Sequence, residues 1–426
     1  MKAKKIINTI MILFFLSLLP IIAKAEDKLS WLDCVKEAAK NNPDLIAAEQ
    51  VVKQSEAGKN ITASALYPQV DASLNASTAK SSSASGKSTA DNYSYGVSAN
   101  QLIFDGTRTI NDVRAAAQNI LASKQGYRFT SVSLRQSLRS AFIALLRVQG
   151  MLNITQEIYN IRRSNLELIA LRYESGLEHK GAFLTAEADL AEAVYGIAQA
   201  KREVEVAQRE LVKEMGRQKL TPISVKGDFE VKDRAMIKPD LDALAKNNPS
   251  LQQAIAQKNA ANFSLKSTYA NFSPSLSAQA GVNKKDVYWS PKYNQWNLGL
   301  VLSMPIFEGG LRFAQVSQAK ALLNQLKASE RSTKDGIVLT LEQAWAELQD
   351  TIDYVGVQKK QLTAAEERSK IAQAQYSIGF ISFDNWTIIE DNLVKAKRAY
   401  IDAQALALYA EANWIQAKGE TLEYEN

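Results

Sequence analysis

Asn41-Asn42-Pro43 recurs as Asn247-Asn248-Pro249, 206 residues further along the chain, and marks two copies of one sequence unit. Three more pairs of motifs recur in the same order, the first at an offset of 206 and the others at 203: Pro68 and Pro274, Phe104-Asp105-Gly106 and Phe307-Glu308-Gly309, Tyr173-x-x-Gly176 and Tyr376-x-x-Gly379. A unit of about two hundred residues is therefore duplicated, and we expect internal two-fold pseudosymmetry. The change of offset predicts a three-residue deletion, and hence a loop, between Pro274 and Gly309.

The first 25 residues have the pattern of a secretory signal peptide. Lysines precede an apolar run over 6–23, and Ala23-Lys24-Ala25 supplies a small-x-small cleavage site. An uncleaved membrane anchor is the alternative, because the run is nearly long enough to span a bilayer. Pro20 and the cleavage site favour the signal peptide. We therefore predict a signal peptide at 1–25 and export of the mature chain.

Charge and cysteine content exclude several classes of protein. The 426 residues include 51 Lys and Arg against 45 Asp and Glu, a formal net charge of +6. Four of the lysines lie within 1–25, where there is no acid, so the mature chain carries +2. These charges are interleaved, which does not indicate a nucleic-acid-binding surface. Cys34 is the only cysteine, so we expect a buried or idle thiol and no disulfide framework.

The mature sequence contains no apolar run of about 18 residues, so no transmembrane helix is predicted. An exported chain of this kind is periplasmic, extracellular, or spans an outer membrane as strands.

Two long helices are predicted by a seven-residue hydrophobic repeat. No proline lies between Gly106 and Thr221 or after Pro305, and both stretches are rich in good helix formers. The repeat consists of Leu138, Leu145, Leu152, Tyr159, Leu166 and Tyr173, and of Leu341, Leu348, Val355, Leu362, Ser369 and Tyr376. Such a period makes helices that supercoil around their neighbours. The spans from Gly106 to Gly176 and from Gly309 to Gly379 are each 70 residues, long enough for a helix of about 105 Å.

Shorter helices are expected on both sides of each long one, over about 29–66, 182–218, 239–272 and 384–419. Their summed length in each half roughly matches the long helix. End-to-end stacking of each short pair beside the long helix would make a uniform helical wall. The two repeats are predicted at 26–216 and 239–426, joined by a linker at 217–238. Within the linker, short strands are suggested by Ile223, Val225, Phe229 and Val231.

Between the helices the hydrophobic period changes to two, which predicts β-hairpins at about 68–105 and 274–307. Over 296–306 the apolar residues take the even positions, Trp296, Leu298, Leu300, Leu302, Met304 and Ile306. Alternation over about ten residues suits a transmembrane strand with one face to lipid and one to water. Aromatic residues crowd the loop ends as an interfacial belt would: Tyr93, Tyr288, Trp289, Tyr293 and Trp296. The alternative is a water-exposed antiparallel sheet with one buried face.

Four strands cannot close a barrel, and an open edge in a bilayer would leave backbone groups without partners. A barrel would therefore be shared among protomers. Two chains would give eight strands and a filled interior, whereas three would give twelve and leave room for water.

The ordered motifs identify a family resemblance. They are Tyr67-Pro68-x-Val70 and Ser273-Pro274-x-Leu276, Ile103-Phe-Asp-Gly106 and Pro305-Ile-Phe-Glu-Gly-Gly310, the two Tyr-x-x-Gly turns, and Tyr409-x-x-x-x-Trp414-x-x-Ala417-x-Gly419. Over nearly all of the mature sequence, the chain resembles the TolC-like outer-membrane efflux protein family. The resemblance implies an α+β membrane protein, a homotrimer whose 12-stranded outer-membrane barrel continues into a 12-helix periplasmic tunnel. It also implies an exit duct of a tripartite efflux pump, with a periplasmic adaptor (membrane fusion) protein and an inner-membrane transporter as partners.

Two other functions stay open. One is an exit duct for type I protein secretion, which the sequence does not distinguish from efflux. The other is a periplasmic coiled-coil adaptor or scaffold, which leaves the hairpins unexplained. An enzyme is not predicted, because the single histidine, His179, allows no Ser-His, Cys-His or multi-His site in one chain. No cofactor, metal or nucleic-acid partner is indicated.

The resemblance also implies that the turns at 173–184 and 376–386 are periplasmic tips, where the duct is gated and meets its adaptor. The tip residues are Tyr173, Gly176, Leu177, Tyr376, Gly379 and Phe380. In much of the family an Asp follows each tip glycine by six residues, but here those positions hold Ala182 and Asn385. The candidates for the gate and lumen are therefore Asp384, Asn385, Glu390, Asp391, Glu187 and Asp189. The strand-to-helix motifs are Phe104, Asp105, Gly106, Pro305, Phe307, Glu308 and Gly309.

At the second tip we expect Phe380, Phe383 and Trp386 to pack, with Asp384 and Asn385 facing the lumen. For Asp384 the alternative is ordinary stabilisation of the first turn of a helix by a negative charge.

Overall fold

The computed structural model describes residues 27–83, 86–219, 221–229 and 237–422, so the predicted signal peptide lies outside the described residues. The first half contains β1 (Asp27–Leu29), α1 (Trp31–Asn41), α2 (Pro43–Ser64), β2 (Gln69–Ser83), β3 (Gly86–Phe104), α3 (Arg108–Glu174), α4 (Lys180–Glu214) and β4 (Ile223–Val225). The second contains α5 (Leu241–Asn247), α6 (Pro249–Ala270), β5 (Ser275–Asp286), β6 (Tyr293–Ser303), α7 (Leu311–Ser377) and α8 (Phe383–Lys418). Both halves follow one order: two helices, a hairpin, a long helix and a tip helix.

The long helices α3 and α7 each have 67 residues, which corresponds to about 100 Å. Leu138 and Leu145 of α3, and Leu341 and Leu348 of α7, are fully buried. Helix α3 packs along α2, α4, α6 and α8, and α7 packs along α6 and α8. The seven-residue stripe is therefore the packing seam of elongated helices, as the sequence predicts.

The single helices expected at 29–66 and 239–272 are each two helices, which corrects the prediction. Pro43 and Pro249 have no backbone N–H and disfavour helical geometry in the residue before them. Asn42 and Asn248 are accordingly extended, with ψ of 125° and 130°. The Asn42 side chain accepts hydrogen bonds from the N–H groups of α2, and Asn248 does the same for α6.

The same two asparagines join the short helices end to end. Asn42 Nδ2 donates to the Glu214 carbonyl at 2.9 Å, and Asn248 Nδ2 donates to the Ala417 carbonyl at 3.2 Å. Helix α4 thus ends against the start of α2, and α8 ends against the start of α6. The expected stacking of each short pair is confirmed. At the first joint Gly216 has φ of +75°, and a Cβ there would lie 2.4 Å from the Asn41 carbonyl oxygen, so only glycine fits.

The four hairpin strands form one antiparallel sheet in the order β2-β3-β5-β6. Its register aligns the apolar positions of every strand, for example in the row Val70, Ala99, Ala280 and Leu298. No described helix covers this apolar face, and Leu298 is 75% exposed. The alternative of a sheet with a buried apolar face therefore does not hold within the chain. Strands β2 and β6 have no further partner strand among the described residues.

The predicted aromatic belt needs one correction. Tyr93 and Trp296 lie on the apolar face, and Trp289 packs edge-on against Tyr93 with 6.1 Å between ring centroids. Tyr293 pairs instead with Lys285 on the opposite, polar face. The reason is the two-residue period of a strand, which separates Tyr293 from the even-numbered apolar positions of β6.

The strand-to-helix motifs turn the chain sharply from sheet to long helix. Asp105 is buried and accepts hydrogen bonds from Thr109 N at 2.9 Å and Thr109 Oγ1 at 2.6 Å. It thereby gives a partner to a backbone N–H group in the first turn of α3, which has no acceptor within the helix. In the second half Glu308 pairs with Arg312, and Gly309 and Gly310 both have positive φ. Phe104 and Phe307 are exposed at these junctions.

Near the end of α4, a hydrophobic core joins the linker to the first half. Ile223 and Val225 lie in β4, which pairs in parallel with β1, whereas Val231 lies outside the described residues. Cys34 is fully buried in this core, and burial raises the pKa of its thiol to about 12. Among the described helices, none is long and apolar enough to cross a membrane.

Candidate functional site

The two helical hairpins end in tips of matching construction. Helices α3 and α7 each stop before a glycine with positive φ, Gly176 at +71° and Gly379 at +77°. The next helix is capped at equivalent positions: His179 Nδ1 accepts from Ala182 N at 3.1 Å, and Ser382 Oγ accepts from Asn385 N at 3.4 Å. His179, interpreted from sequence as a solvated turn residue, is exposed and also caps α4.

A cluster of aromatic side chains fastens the second tip. Tyr376 stacks on Trp386 with 4.5 Å between ring centroids, and Phe383 packs against both rings. The Arg172 guanidinium lies 4.9 Å from the centre of the Tyr376 ring, a cation–π contact. Phe380 is 76% exposed, so the expectation that it packs here is wrong; Tyr376 takes that place because it lies on the buried stripe of α7.

The two tips are also joined to each other. Tyr376 Oη donates to Glu178 Oε2 of the first tip at 2.8 Å. Burial, and then the neighbouring Glu178 carboxylate, raise the pKa of the Tyr376 hydroxyl above its usual range. A tyrosine hydroxyl is protonated at physiological pH, and the raised pKa lets it keep donating in more alkaline solution as well. In the first tip the equivalent pair, Tyr173 and Phe183, stacks at 5.5 Å.

Arg162 of α3 lies behind the tips and binds two acids from different helices. It contacts Asp189 of α4 at 3.3 Å and also pairs with Asp391 of α8. The Arg162 side chain is 11% exposed, whereas the side chains of Asp189 and Asp391 are 25% and 44% exposed, so the cluster is buried on the side of the arginine. Burial raises the pKa of Asp189, and the Asp391 charge adds to that effect, while Arg162 opposes it. Arg162 therefore fastens three helices of the two repeats at one point.

A small cavity adjoins Arg162 and is lined also by Asp189, Glu390 and Trp386. Glu390 is buried and accepts a hydrogen bond from Ser369 Oγ at 2.5 Å. Trp386 is buried, and its Nε1 has no hydrogen-bond partner within the described residues.

The six predicted gate residues separate into two groups. Asp189, Glu390 and Asp391 meet around Arg162, whereas Asp384, Asn385 and Glu187 are exposed. Arg162 was not among the residues predicted from sequence. A signal was present, because Arg162 and Asp189 lie almost equally far from Gly176 on either side of the α3–α4 turn. Side chains in an antiparallel helix pair face each other at such positions.

A series of ion pairs runs along the seam between α3 and α8 and ends at Glu420, two residues past the end of α8. From the tips upward its members are Arg162 with Asp391, Glu157 with Lys397, Arg147 with Asp402, Arg139 with Glu411, and Arg135 with Glu420. Residue numbers rise on one helix as they fall on the other, so the pairs fix the antiparallel register of the first repeat on the second.

The described residues include no group of His, Cys, Asp or Glu side chains placed to hold a metal ion.

Known proteins with similar sequences show to which family this chain belongs. A sequence model of the family described as "Outer membrane efflux protein" matches residues 34–217 and 241–420. The outer membrane efflux protein BepC of Brucella suis biovar 1 (strain 1330) is 22% identical over 388 residues, covering 90% of this chain and 84% of BepC. The cation efflux system protein CusC of Escherichia coli (strain K12) is 22% identical over 379 residues, covering 86% of this chain and 81% of CusC.

Solved channels share the fold at low sequence identity. A crystal structure of CusC aligns with a TM-score of 0.81 at 20% identity, covering 90% of this chain and 91% of that one. The Campylobacter jejuni CmeC outer membrane channel aligns with a TM-score of 0.81 at 18% identity, covering 92% and 86%. The family consists of channel components of efflux systems, which are not enzymes. With its family match in both halves and this fold, the chain belongs to the outer membrane efflux protein family.

Proposed function

We propose that three copies of this chain form the outer-membrane exit duct of a tripartite efflux pump. The duct would receive substrates from an inner-membrane transporter through a periplasmic adaptor and release them outside the cell. One observation carries the proposal: a four-stranded sheet with an uncovered apolar face and two unpaired edges continues directly into helices of about 100 Å.

The unpaired edges support shared closure. In lipid, the backbone groups of β2 and β6 need partners, and β6 of one copy can supply them to β2 of the next. Three copies make twelve strands, enough for a water-filled interior. The polar face of the sheet would line that interior, with Asp71, Ser73, Ser98, Gln279 and Asn297 among its residues.

The scaffold alternative is disfavoured by the same sheet. A wholly periplasmic protein would expose Leu298, Leu300 and Leu302 to water, and each is at least 68% exposed in the chain. Contiguous apolar surface of that kind is rare on soluble proteins without a partner.

The tips would form the periplasmic gate and the contact with the adaptor. The Arg162–Asp391 pair and the Tyr376–Glu178 hydrogen bond hold the two hairpins together, as a closed resting state requires. Leu177 and Phe380 protrude from the tips and are 68% and 76% exposed, which suits contact with another protein. Asp384 and Asn385 are exposed at the start of α8 and remain our candidates for the lumen.

The duct itself does not select the cargo in this proposal. Relatives of near-equal identity are named for different cargoes, cations for CusC and toluene for TtgC of Pseudomonas putida. The inner-membrane partner would therefore determine which substrates pass.

Channel recording tests the proposal. The purified protein in a planar bilayer is expected to give discrete conductance steps, since its lumen is water-filled. Three copies of Asp384 would attract cations, so Asp384→Ala is expected to lower cation selectivity, while His179→Ala leaves it unchanged. Recovery of the protein from the soluble periplasm without detergent, together with no conductance, would overturn the proposal.

A further inference from the structure

The lysines of the two hairpins are concentrated at one end of the sheet. Residues 69–104 and 275–303 contain five of them, all in the half of the strands away from the helices: Lys80, Lys87, Lys284, Lys285 and Lys292. The half next to the helices has none. The far end of the sheet therefore carries a positive charge that the near end lacks.

Lys284 lies on the apolar face of this far end. In the register it stands between Tyr95 of β3 and Asn294 of β6, one pleat beyond the row that contains Val282 and Trp296. Lys284 is exposed, and it makes no ion pair with any residue that the structure describes. Its neighbour Lys285 faces the other way, towards the polar side, opposite Tyr293.

The depth of Lys284 follows from the length of the apolar band. Within β6 the apolar band runs from Trp296 to Leu302, six residues, or about 20 Å along the strand. At a strand tilt of about 40° this spans roughly 15 Å, and Met304 and Ile306 continue the apolar pattern towards the helices, as the apolar band of outer-membrane barrels requires. Lys284 lies just past the end of this band, so its flexible side chain places the ammonium among lipid headgroups.

The acid nearest to Lys284 on this face is already bonded within its own loop. Asp286 accepts hydrogen bonds from Val287 N at 2.7 Å and Lys292 N at 3.3 Å. These bonds hold the loop that carries Lys292 close to the end of β5. Trp289 of the same loop packs on Tyr93, which belongs to the apolar face. Lys292 is exposed and adds a second ammonium at this end of the sheet.

We propose that Lys284, together with Lys292, binds the phosphate groups of lipids in the outer leaflet. The inference rests on the proposed function, because it requires the apolar face to contact lipid. An ammonium that emerges beside a tyrosine, Tyr95, at the edge of an apolar band suits an anionic headgroup. The acyl chains of the same lipid would then lie along Leu298 and Leu300. Phosphorylated lipid would thereby fix the height of the duct in the membrane.

Lipid binding to the intact assembly in detergent tests the site. The probe is lipid A carrying both phosphates, compared with galactosyl diacylglycerol, which carries none, and bound lipid is counted by native mass spectrometry. The variant is Lys284→Gln with Lys292→Gln. The control is Lys285→Gln, which removes one positive charge at the residue next to Lys284, on the opposite face.

The double variant is expected to bind lipid A about 25-fold more weakly, since each lysine near a headgroup contributes about five-fold. The control and the wild type should bind alike, and galactosyl diacylglycerol should bind weakly to all three. Equal binding of lipid A by the double variant would overturn the inference, as would equal binding of the phosphate-free lipid. Displacement by inorganic phosphate at equimolar concentration would also overturn it, because the site would then prefer a free anion.

Channel recording separates the two proposals. Wild-type protein that conducts but shows no preference for phosphorylated lipid contradicts the lipid site alone. Wild-type protein that neither inserts nor conducts contradicts the duct, and the lipid site with it.

Discussion

At the tips, one guanidinium connects three helices. Arg162 pairs with Asp189 and Asp391, and no other described cation pairs with either acid. Without it, the two carboxylates would face each other beside the buried Glu390. The pairing therefore both removes a repulsion and holds α3, α4 and α8 together.

Replacing Arg162 should loosen the tips. Arg162→Gln is expected to cost about 1–3 kcal/mol locally, between the values typical of exposed and of buried ion pairs. Single-channel conductance should rise because the hairpins separate more readily. Arg163→Gln is the matched control, since Arg163 is exposed and pairs only within α3, with Glu167. Equal conductance of the two variants would show that Arg162 does not restrain the tips.

At the scale of elements, the two Asn-Pro joints determine how the helical wall is built. Each asparagine starts one helix and also bonds the last turn of another. One side chain thus satisfies backbone donors at one helix end and a carbonyl at the next. The short helices α4 and α2 can then run beside α3 as a stacked pair.

Asn248→Ala should destabilise the assembly while Asn247→Ala does not. The first change removes a cap, worth about 1 kcal/mol, and leaves the Ala417 carbonyl without its side-chain donor. Asn247 is exposed at the end of α5. Thermal unfolding followed by circular dichroism in detergent should show a lower midpoint for Asn248→Ala only. A shift of the same size in both variants would contradict the role of the joint.

Much of the arrangement of helices and strands could be predicted from the sequence. The repeat offsets predicted equivalent elements, and the change of period from seven to two separated long helices from strands. The breaks at Asn42 and Asn248 were missed because helix propensity outweighed the proline signal. Arg162 was missed because its partners lie 27 and 229 residues away along the chain. Only the packing of α3 against α8 brings Asp391 to it.

At the scale of the whole molecule, the sheet requires neighbours. Its apolar face and its two edges are uncovered in a single chain. Lipid would cover the face and other copies of the chain would pair with the edges. The stacked helices α2 and α4 border one open side of the helical wall and α7 borders the other. These sides would pair between neighbouring copies of the chain, as the sheet edges do.

A charge on the apolar face should prevent assembly, whereas one on the polar face should not. Leu300 lies midway along the apolar band, where an arginine costs about 2–4 kcal/mol per chain. Leu300→Arg is therefore expected to fail to insert into the outer membrane. Asn297→Arg, on the opposite face of β6, should insert and alter conductance instead. Normal insertion of Leu300→Arg, judged by membrane fractionation, would place that face away from lipid.

The mass of the assembly in mild detergent tests the central claim most directly. A barrel that closes by pairing β6 of each chain with β2 of the next, and encloses water, requires twelve strands and hence three chains. Native mass spectrometry should therefore find a complex of three protomers. A monomer or dimer as the only stable species would contradict the shared duct.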